Sequence, residues 1–100
     1  MSQSINYLTF TEVCLSLRVN EDAVFEMVNH GIAEPQGAAP DEWRFDYHML
    51  ARLRKARRLM LELELDTAAV ALALELREEL ERVRAENQYL RQQLSRLRSP

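Results

Sequence analysis

The residues with the clearest capacity for chemistry in this chain are carboxylates set beside aromatic rings. In VNEDAVFEMVNHG, Val19 to Gly31, Glu21, Asp22 and Glu26 surround Phe25, and the stretch holds no Lys or Arg. A second acidic run, Asp41–Glu42–Trp43, follows within EPQGAAPDEWRFD. Such a pattern suits a basic polypeptide, because opposite charges steer the encounter and an aromatic side chain anchors it. It does not suit DNA, whose affinity comes mainly from Lys and Arg on phosphates and whose bases are read by Arg, Lys, Asn or Gln. Glu21, Asp22, Glu26, Asp41 and Glu42 are therefore expected to steer a partner, with Phe25 or Trp43 as its apolar anchor. The plainer alternative is a solvated acidic face over core aromatics.

Other reactive groups form no pattern. Cys14, His30 and His48 lack metal-ligand spacing, and no nucleophile–base context or Gly-rich phosphate loop is present. No catalytic residue, metal site or cofactor is expected. His30 falls near a helix end, where a cation suits the dipole. Cys14 reads as a small core residue. The feature that best fits nucleic acid is RLRKARR, Arg52 to Arg58. Arg54, Arg57 and Arg58 could share one flank there, though a basic face opposite an apolar stripe is usually solvated or paired with acids.

The acidic residues are unevenly placed. Residues 1–46 hold two basic residues against eight acidic ones, a net of −6, whereas residues 47–100 hold eleven against eight, a net of +3. One hundred residues make one small domain with room for an added arm. Such a chain buries a modest core and gains from a partner subunit. Glu62, Glu64 and Asp66 interrupt the Leu-rich middle, so no membrane span is expected. MSQSINYLTF has neither a basic region nor a long apolar run, so no secretory signal is expected. With a single Cys, no internal disulfide framework exists, and a cytoplasmic setting is the natural expectation.

Scarce Gly and rare alternation favour helix. After an extended lead over Tyr7–Phe10, a first helix is predicted from Glu12 to about Leu17, capped by Thr11. Thr9 competes as the cap, with Glu12 as its capping-box partner. Asn20 caps a second helix whose apolar face is Ala23, Val24, Met27 and Val28, with Phe25 off that face. Gly31 ends it. Residues 34–46 read as a turn or small β-wing with Trp43–Arg44–Phe45 as its returning strand. Asp46 caps a third helix, Tyr47 to about Leu63, with Met49, Leu50, Leu53, Ala56, Met60 and Leu63 as its core stripe. Asp66 caps a fourth, carrying Val70, Leu72 and Leu74.

From Leu76 the pattern becomes heptad-like. Leu80, Asn87 and Leu94 occupy a, and Leu76, Val83, Leu90 and Leu97 occupy d. Glu79, Glu86 and Gln93 then fall at g, with Arg84, Arg91 and Arg98 at e. This predicts about three heptads of coiled coil and self-association, with Asn87 as the polar seam residue. In a parallel pair Glu79–Arg84 and Glu86–Arg91 attract, whereas an antiparallel pair sets like charges together. The alternative is a stripe that packs on the chain's own domain.

Residues 8–74 resemble the DNA-binding domain of MerR-type regulators. LTFTEVCLSLRVNEDAVFEMVNHGIAEP is similar to their helix, turn, helix and exit, and WRFDYHMLARLRKARRLMLELELDTAAV to their wing strand and following helices. Two departures stand out. Glu21, Asp22, Phe25 and Glu26 replace the family's aromatic and Arg residues, and Glu64 stands where it usually has Gly. Nearly the whole chain is similar to the CbpM family of chaperone modulators. The resemblance rests on FTEVCL, the acidic second helix, GIAEP, WRFD and the ending RAENQYLRQQLSRLRSP. It implies binding to the J-domain of a DnaJ-like, DNA-associated co-chaperone, CbpA, with inhibition of its stimulation of DnaK and opposition to its DNA binding. It also implies that the J-domain presents a basic helix, to which the acidic helix is complementary.

The sequence is thus read as a mainly α, MerR-like winged helix-turn-helix domain over residues 1–75, with a small β-wing and a dimerising coiled-coil helix over 76–100. A homodimeric, cytoplasmic J-domain binder, possible at the nucleoid through its partner, is the first functional reading. A MerR-type transcriptional regulator using Arg52–Arg58 and the wing is the second, and a purely structural dimerisation module is the third.

Overall fold

The computed structural model describes residues 6–98. The first five residues of MSQSINYLTF and the last two of the C-terminal ending lie outside the described residues. Four α-helices follow one another: α1 Phe10–Leu17, α2 Glu21–Asn29, α3 Tyr47–Leu63 and α4 Thr67–Arg98, with a 3-10 turn at Pro40–Glu42.

Side-chain caps set most of these boundaries. Thr9, not Thr11, starts α1: its hydroxyl accepts from the Glu12 N–H at 3.1 Å while the Glu12 carboxylate accepts from the Thr9 N–H at 2.8 Å. The reciprocal pair satisfies two otherwise orphan donors, which a lone Thr11 could not. Asn20 accepts from Ala23 N–H at 2.9 Å and starts α2. Asp46 accepts from Met49 N–H at 2.8 Å, and Asp66 from Ala69 N–H at 2.8 Å. Gly31 leaves α2 in the left-handed region at φ 79°. Glu64 does the same for α3 at φ 54°, as a non-glycine residue.

Residues 32–46 do not form the expected β-wing. Among the described residues no strand is present, and the segment makes two isolated antiparallel bridges, Gln36 with Arg44 and Leu8 with Phe45. Pro35 precedes the Gln36 bridge and Pro40 with its 3-10 turn follows it, so the chain cannot extend a ladder. Trp43–Arg44–Phe45 is therefore an extended return rather than a strand. Gly37 makes the fold-back possible: its φ is 122°, and a Cβ there would collide with the Glu42 carbonyl.

The core gathers Val13 and Cys14 of α1, Val24 and Met27 of α2, and Ile32, Ala33 and Phe45 from the connecting segment. Leu50, Leu53 and Ala56 of α3 and Val70, Ala71 and Leu74 of α4 complete it. Phe45 is fully buried and the largest of these side chains. Met49 and Met60 pack at its edge. Leu63, expected in the core stripe of α3, is 58% exposed, and Leu72, expected on the fourth helix with Val70 and Leu74, is 56% exposed. The α3 stripe ends a turn before Leu63, and Ala71 takes the buried place beside Val70. Burial pushes the Cys14 thiol pKa up, with the nearby Glu21 charge adding to the rise and a backbone hydrogen bond opposing it.

Helix α4 is continuous through residues 75 and 76, so the expected domain limit coincides with no break in secondary structure. Core burial along it ends at Leu74. Arg52 secures the departure of the arm. Its Nε and Nη2 donate to both carboxylate oxygens of Glu78 at 2.8 and 2.9 Å, and its Nη1 donates to the Gly31 carbonyl at 3.2 Å and to that of Ile32. One guanidinium thus joins α3, the exit of α2 and the root of the arm. Beyond it the seam residues Leu76, Leu80, Val83, Leu90, Leu94 and Leu97 are 44–82% exposed, and Asn87 is exposed among them. The stripe does not pack on its own domain.

Candidate protein-binding surface

The carboxylates and aromatics singled out in the sequence converge where α2, the start of α1 and the 3-10 turn meet. Asn20 fixes the first turn of α2, which presents Glu21 and Asp22 to solvent and Phe25 one turn later. Val24 and Met27 bury the opposite face, so the helical period itself turns Phe25 outward. Phe25 is 40% exposed yet not loose. Its ring lies against Trp43, with centroids 5.8 Å apart and 21° between planes. Trp43 meets Phe10 edge-on at 5.3 Å and the buried Phe45 at 6.0 Å. This aromatic column runs from the core outward and ends at Phe25.

Two shallow grooves adjoin the outer end. One is lined by Phe10, Glu21, Asp22, Phe25 and Pro40; the other by Thr9, Phe10, Thr11, Glu21, Pro40 and Asp41. Their apolar floor is Phe10, Phe25 and Pro40, and their rim is Glu21, Asp22 and Asp41. Of the expected residues the fold brings together Glu21, Asp22, Phe25 and Asp41, with Trp43 half-buried as the support under Phe25. Two others are turned to local tasks. Glu26 pairs with His30 at 3.4 Å, and the His30 ring nitrogen also lies 3.0 Å from the Glu26 carbonyl. Glu42 accepts from the Ala38 N–H at 3.3 Å and holds the loop. Phe10 and Pro40 escaped the sequence reading. Phe10 opens α1, and only the folded chain brings it against Trp43 and beside Pro40.

An apolar floor ringed by uncompensated carboxylates can bury an aliphatic or aromatic side chain while its rim meets Lys or Arg. It repels a polyanion. Two members of the basic cluster are engaged by the fold. Arg52 is consumed by Glu78 and two carbonyls, and Arg54 donates to the Ser16 hydroxyl at 2.8 Å. The Arg52 guanidinium, by hydrogen bond first and charge second, holds the Glu78 carboxyl below the usual carboxylate range against some desolvation, with Lys55 and His48 adding to it. Among the described residues no group of three His, Cys, Asp or Glu side chains could hold a metal ion. No helix there is long and apolar enough to cross a membrane.

The α1–turn–α2 unit with its following helices defines a helix-turn-helix regulator. The family described as "MerR HTH family regulatory protein" matches residues 8–92, and the chain belongs to that family, in its CbpM group. The chain is 45% identical over 95 residues to the chaperone modulatory protein CbpM of Pseudomonas entomophila, covering 95% of this chain and 94% of that one. It is 44% identical to CbpM of Pseudomonas putida strain GB-1 over the same coverage. It is 39% identical to CbpM of Escherichia coli strain HS over 88 residues, or 88% and 87% of the two chains. The matching family is one of regulatory proteins, not of enzymes.

Proposed function

We propose that this chain is a chaperone modulator that binds the J-domain of a DnaJ-like co-chaperone of the CbpA type and inhibits both its co-chaperone and its DNA-binding activities. The relatives are named for chaperone modulation. The observation that carries the reading is the surface of Glu21, Asp22, Phe25 and Asp41 over Phe10 and Pro40. It occupies the helix that a MerR-type DNA binder would put in the major groove.

The mechanism is competition for a surface. A J-domain with a basic helix would lay its Lys and Arg along the Glu21–Asp22–Asp41 rim and an apolar side chain into the groove beside Phe25. The same basic helix would then be closed to DnaK. Glu26 and Glu42 lie at the margin and add field more than contact. The arm beyond Leu74 is read as a homodimerising coiled coil built on Leu76, Leu80, Val83, Asn87, Leu90, Leu94 and Leu97, and residues 1–75 as the partner-binding head. The setting is cytoplasmic, and no catalytic step is involved.

Capture of an isolated J-domain by the full chain tests this reading. It should bind saturably and suppress J-domain stimulation of DnaK. The competing reading, a DNA-binding regulator, would rest on Lys55, Arg57 and Arg58 once Arg52 and Arg54 are engaged. It calls for tight, salt-sensitive duplex binding in a gel shift.

A further inference from the structure

One flank of α3 carries cations that the fold does not neutralise. At about 100° per residue, Tyr47, Arg54, Arg57, Arg58 and Leu61 share an arc of about 100°. Its centre stands about 100° around the helix from the line of Leu50, Leu53 and Ala56, which are buried. Arg54 shows which flank this is: its Nη2 donates to the Ser16 hydroxyl of α1 at 2.8 Å. The stripe runs beside α1 and measures about 21 Å from Tyr47 to Leu61. On α1, Thr11 lines the acidic groove, whereas Ser16 holds the stripe. These two lie about 110° to opposite sides of the inward line of Val13, Cys14 and Leu17. The acidic groove and the basic stripe therefore occupy opposite flanks of α1.

We infer that the stripe is a second protein-binding surface, and that its occupant is a short acidic polypeptide segment with an aliphatic side chain among its carboxylates. The inference goes beyond the reading of the α2 surface and does not rest on it. Charge carries it first. Arg54, Arg57 and Arg58 make no ion pair among the described residues. The bond to Ser16 orients Arg54 without discharging it, and the guanidinium fork matches a carboxylate in two parallel hydrogen bonds. The acids nearest the stripe on its own two helices do not quench it. Glu12 is committed to the Thr9 N–H, and Glu62 falls about 40° beyond the arc and pairs with no cation among the described residues.

The ends of the stripe decide which kind of anion fits. Tyr47 is 58% and Leu61 63% exposed, so the cations lie between two open apolar side chains. A phosphate backbone gives Leu61 nothing to pack against, whereas an acidic amphipathic segment buries it. The chain's net charge of −3 also opposes a long polyanion at a distance. A helical segment of about 14 residues covers the stripe and ends with it. With a basic polypeptide on one flank of α1 and an acidic one on the other, the head becomes a bridge between two partners of opposite charge.

Fluorescence anisotropy of the full chain with three labelled probes tests this. The first is a peptide of about 14 residues with Glu and Leu at i, i+4 spacing, the second an all-Glu peptide of the same charge, and the third a short DNA duplex. The Glu–Leu peptide should bind saturably, and more weakly as salt rises. Arg57→Gln with Arg58→Gln should cost it at least ten-fold in affinity. Arg84→Gln with Arg91→Gln, the same charge change on the arm, should leave it nearly unchanged. Leu61→Ser should cost the Glu–Leu peptide several-fold and the all-Glu peptide nothing. None of these residues is in the core, and an unchanged circular dichroism spectrum checks that each variant stays folded. Equal losses from the two Arg pairs would reduce the effect to general attraction and overturn the inference, as would the absence of saturable peptide binding. A duplex that binds more tightly than the peptide and is released by the Arg57 and Arg58 substitutions would also overturn it, in favour of nucleic acid. J-domain capture by the same variants reads the functional proposal separately, since none of the substituted residues lines the α2 grooves.

Discussion

Phe25 lies nearly flat on Trp43, with ring centroids 5.8 Å apart and 21° between planes. The contact ties the exposed face of α2 to the extended return after the 3-10 turn, and through Trp43 to the buried Phe45. A half-exposed ring held in this way is ordered before any partner arrives, which lowers the entropy cost of using it as an anchor.

Phe25→Ala should therefore weaken J-domain binding by about 30-fold or more, the scale of an aromatic hot spot. The loss of a half-exposed ring should cost the fold far less than a core truncation. Calorimetric titration beside thermal unfolding checks this; a large fall in Tm with unchanged affinity would make Phe25 a packing residue only.

Gly37→Ala should damage the surface from a distance. A Cβ at φ 122° meets the Glu42 carbonyl, so the loop must shift the 3-10 turn that carries Pro40 and Asp41. Reduced J-domain affinity with α-helical circular dichroism preserved is the expected result. Unchanged affinity would mean that the turn does not shape the site.

Glu64→Gly should stabilise the head. A non-glycine residue in the left-handed region costs about 1–2 kcal/mol, and Glu64 stands there at φ 54°. Part of that strain should return as stability, because Gly also loses more chain entropy on folding. A rise in denaturation midpoint at constant m-value checks it.

Arg52 and Glu78 give the fold a pH dependence of known sign. The folded-state Glu78 pKa is depressed by Arg52. The pair's contribution is therefore fully present above the ordinary carboxylate pKa of about 4.3, and it is lost as pH falls through the lower folded value. The Glu78 side chain is 53% exposed, so solvent screening limits the pair to about 0.2–1 kcal/mol. Glu78→Gln should lower stability at pH 7 by that amount and match the unmodified chain once pH has fallen below the lowered folded-state pKa of Glu78. Equal midpoints at pH 7 would show that the pair contributes nothing.

What the sequence made legible was local. Asn20, Asp46 and Asp66 each capped the helix expected of it, because a cap and its N–H donor lie three residues apart. The α3 limits followed from Asp46 and the Leu50–Leu53–Ala56 spacing. The acidic face of α2 followed from the burial of Val24 and Met27 opposite it. What stayed hidden was non-local. Arg52 read as part of a basic patch until Glu78, twenty-six positions on, and the carbonyls of Gly31 and Ile32 were seen to claim it. Phe10 carried no mark of the site, because only folding brings it to Trp43 and Pro40. The β-wing was over-read from prolines and aromatics, which produced two bridges instead of a ladder. Leu63 fits the α3 period but lies past the edge of what that helix buries, whereas Leu72 stands about 200° around α4 from Val70 and Leu74 and so faces away from the core.

The most direct test of the account is calorimetric titration of an isolated CbpA-type J-domain into the full chain and into a Glu21→Lys, Asp22→Lys, Asp41→Lys variant, each at low and moderate salt. The unmodified chain should bind saturably and more weakly as salt rises, and the variant should lose at least ten-fold in affinity and most of the salt dependence. Equal affinity and equal salt dependence for the two chains would contradict an acidic docking surface on α2 and the 3-10 turn.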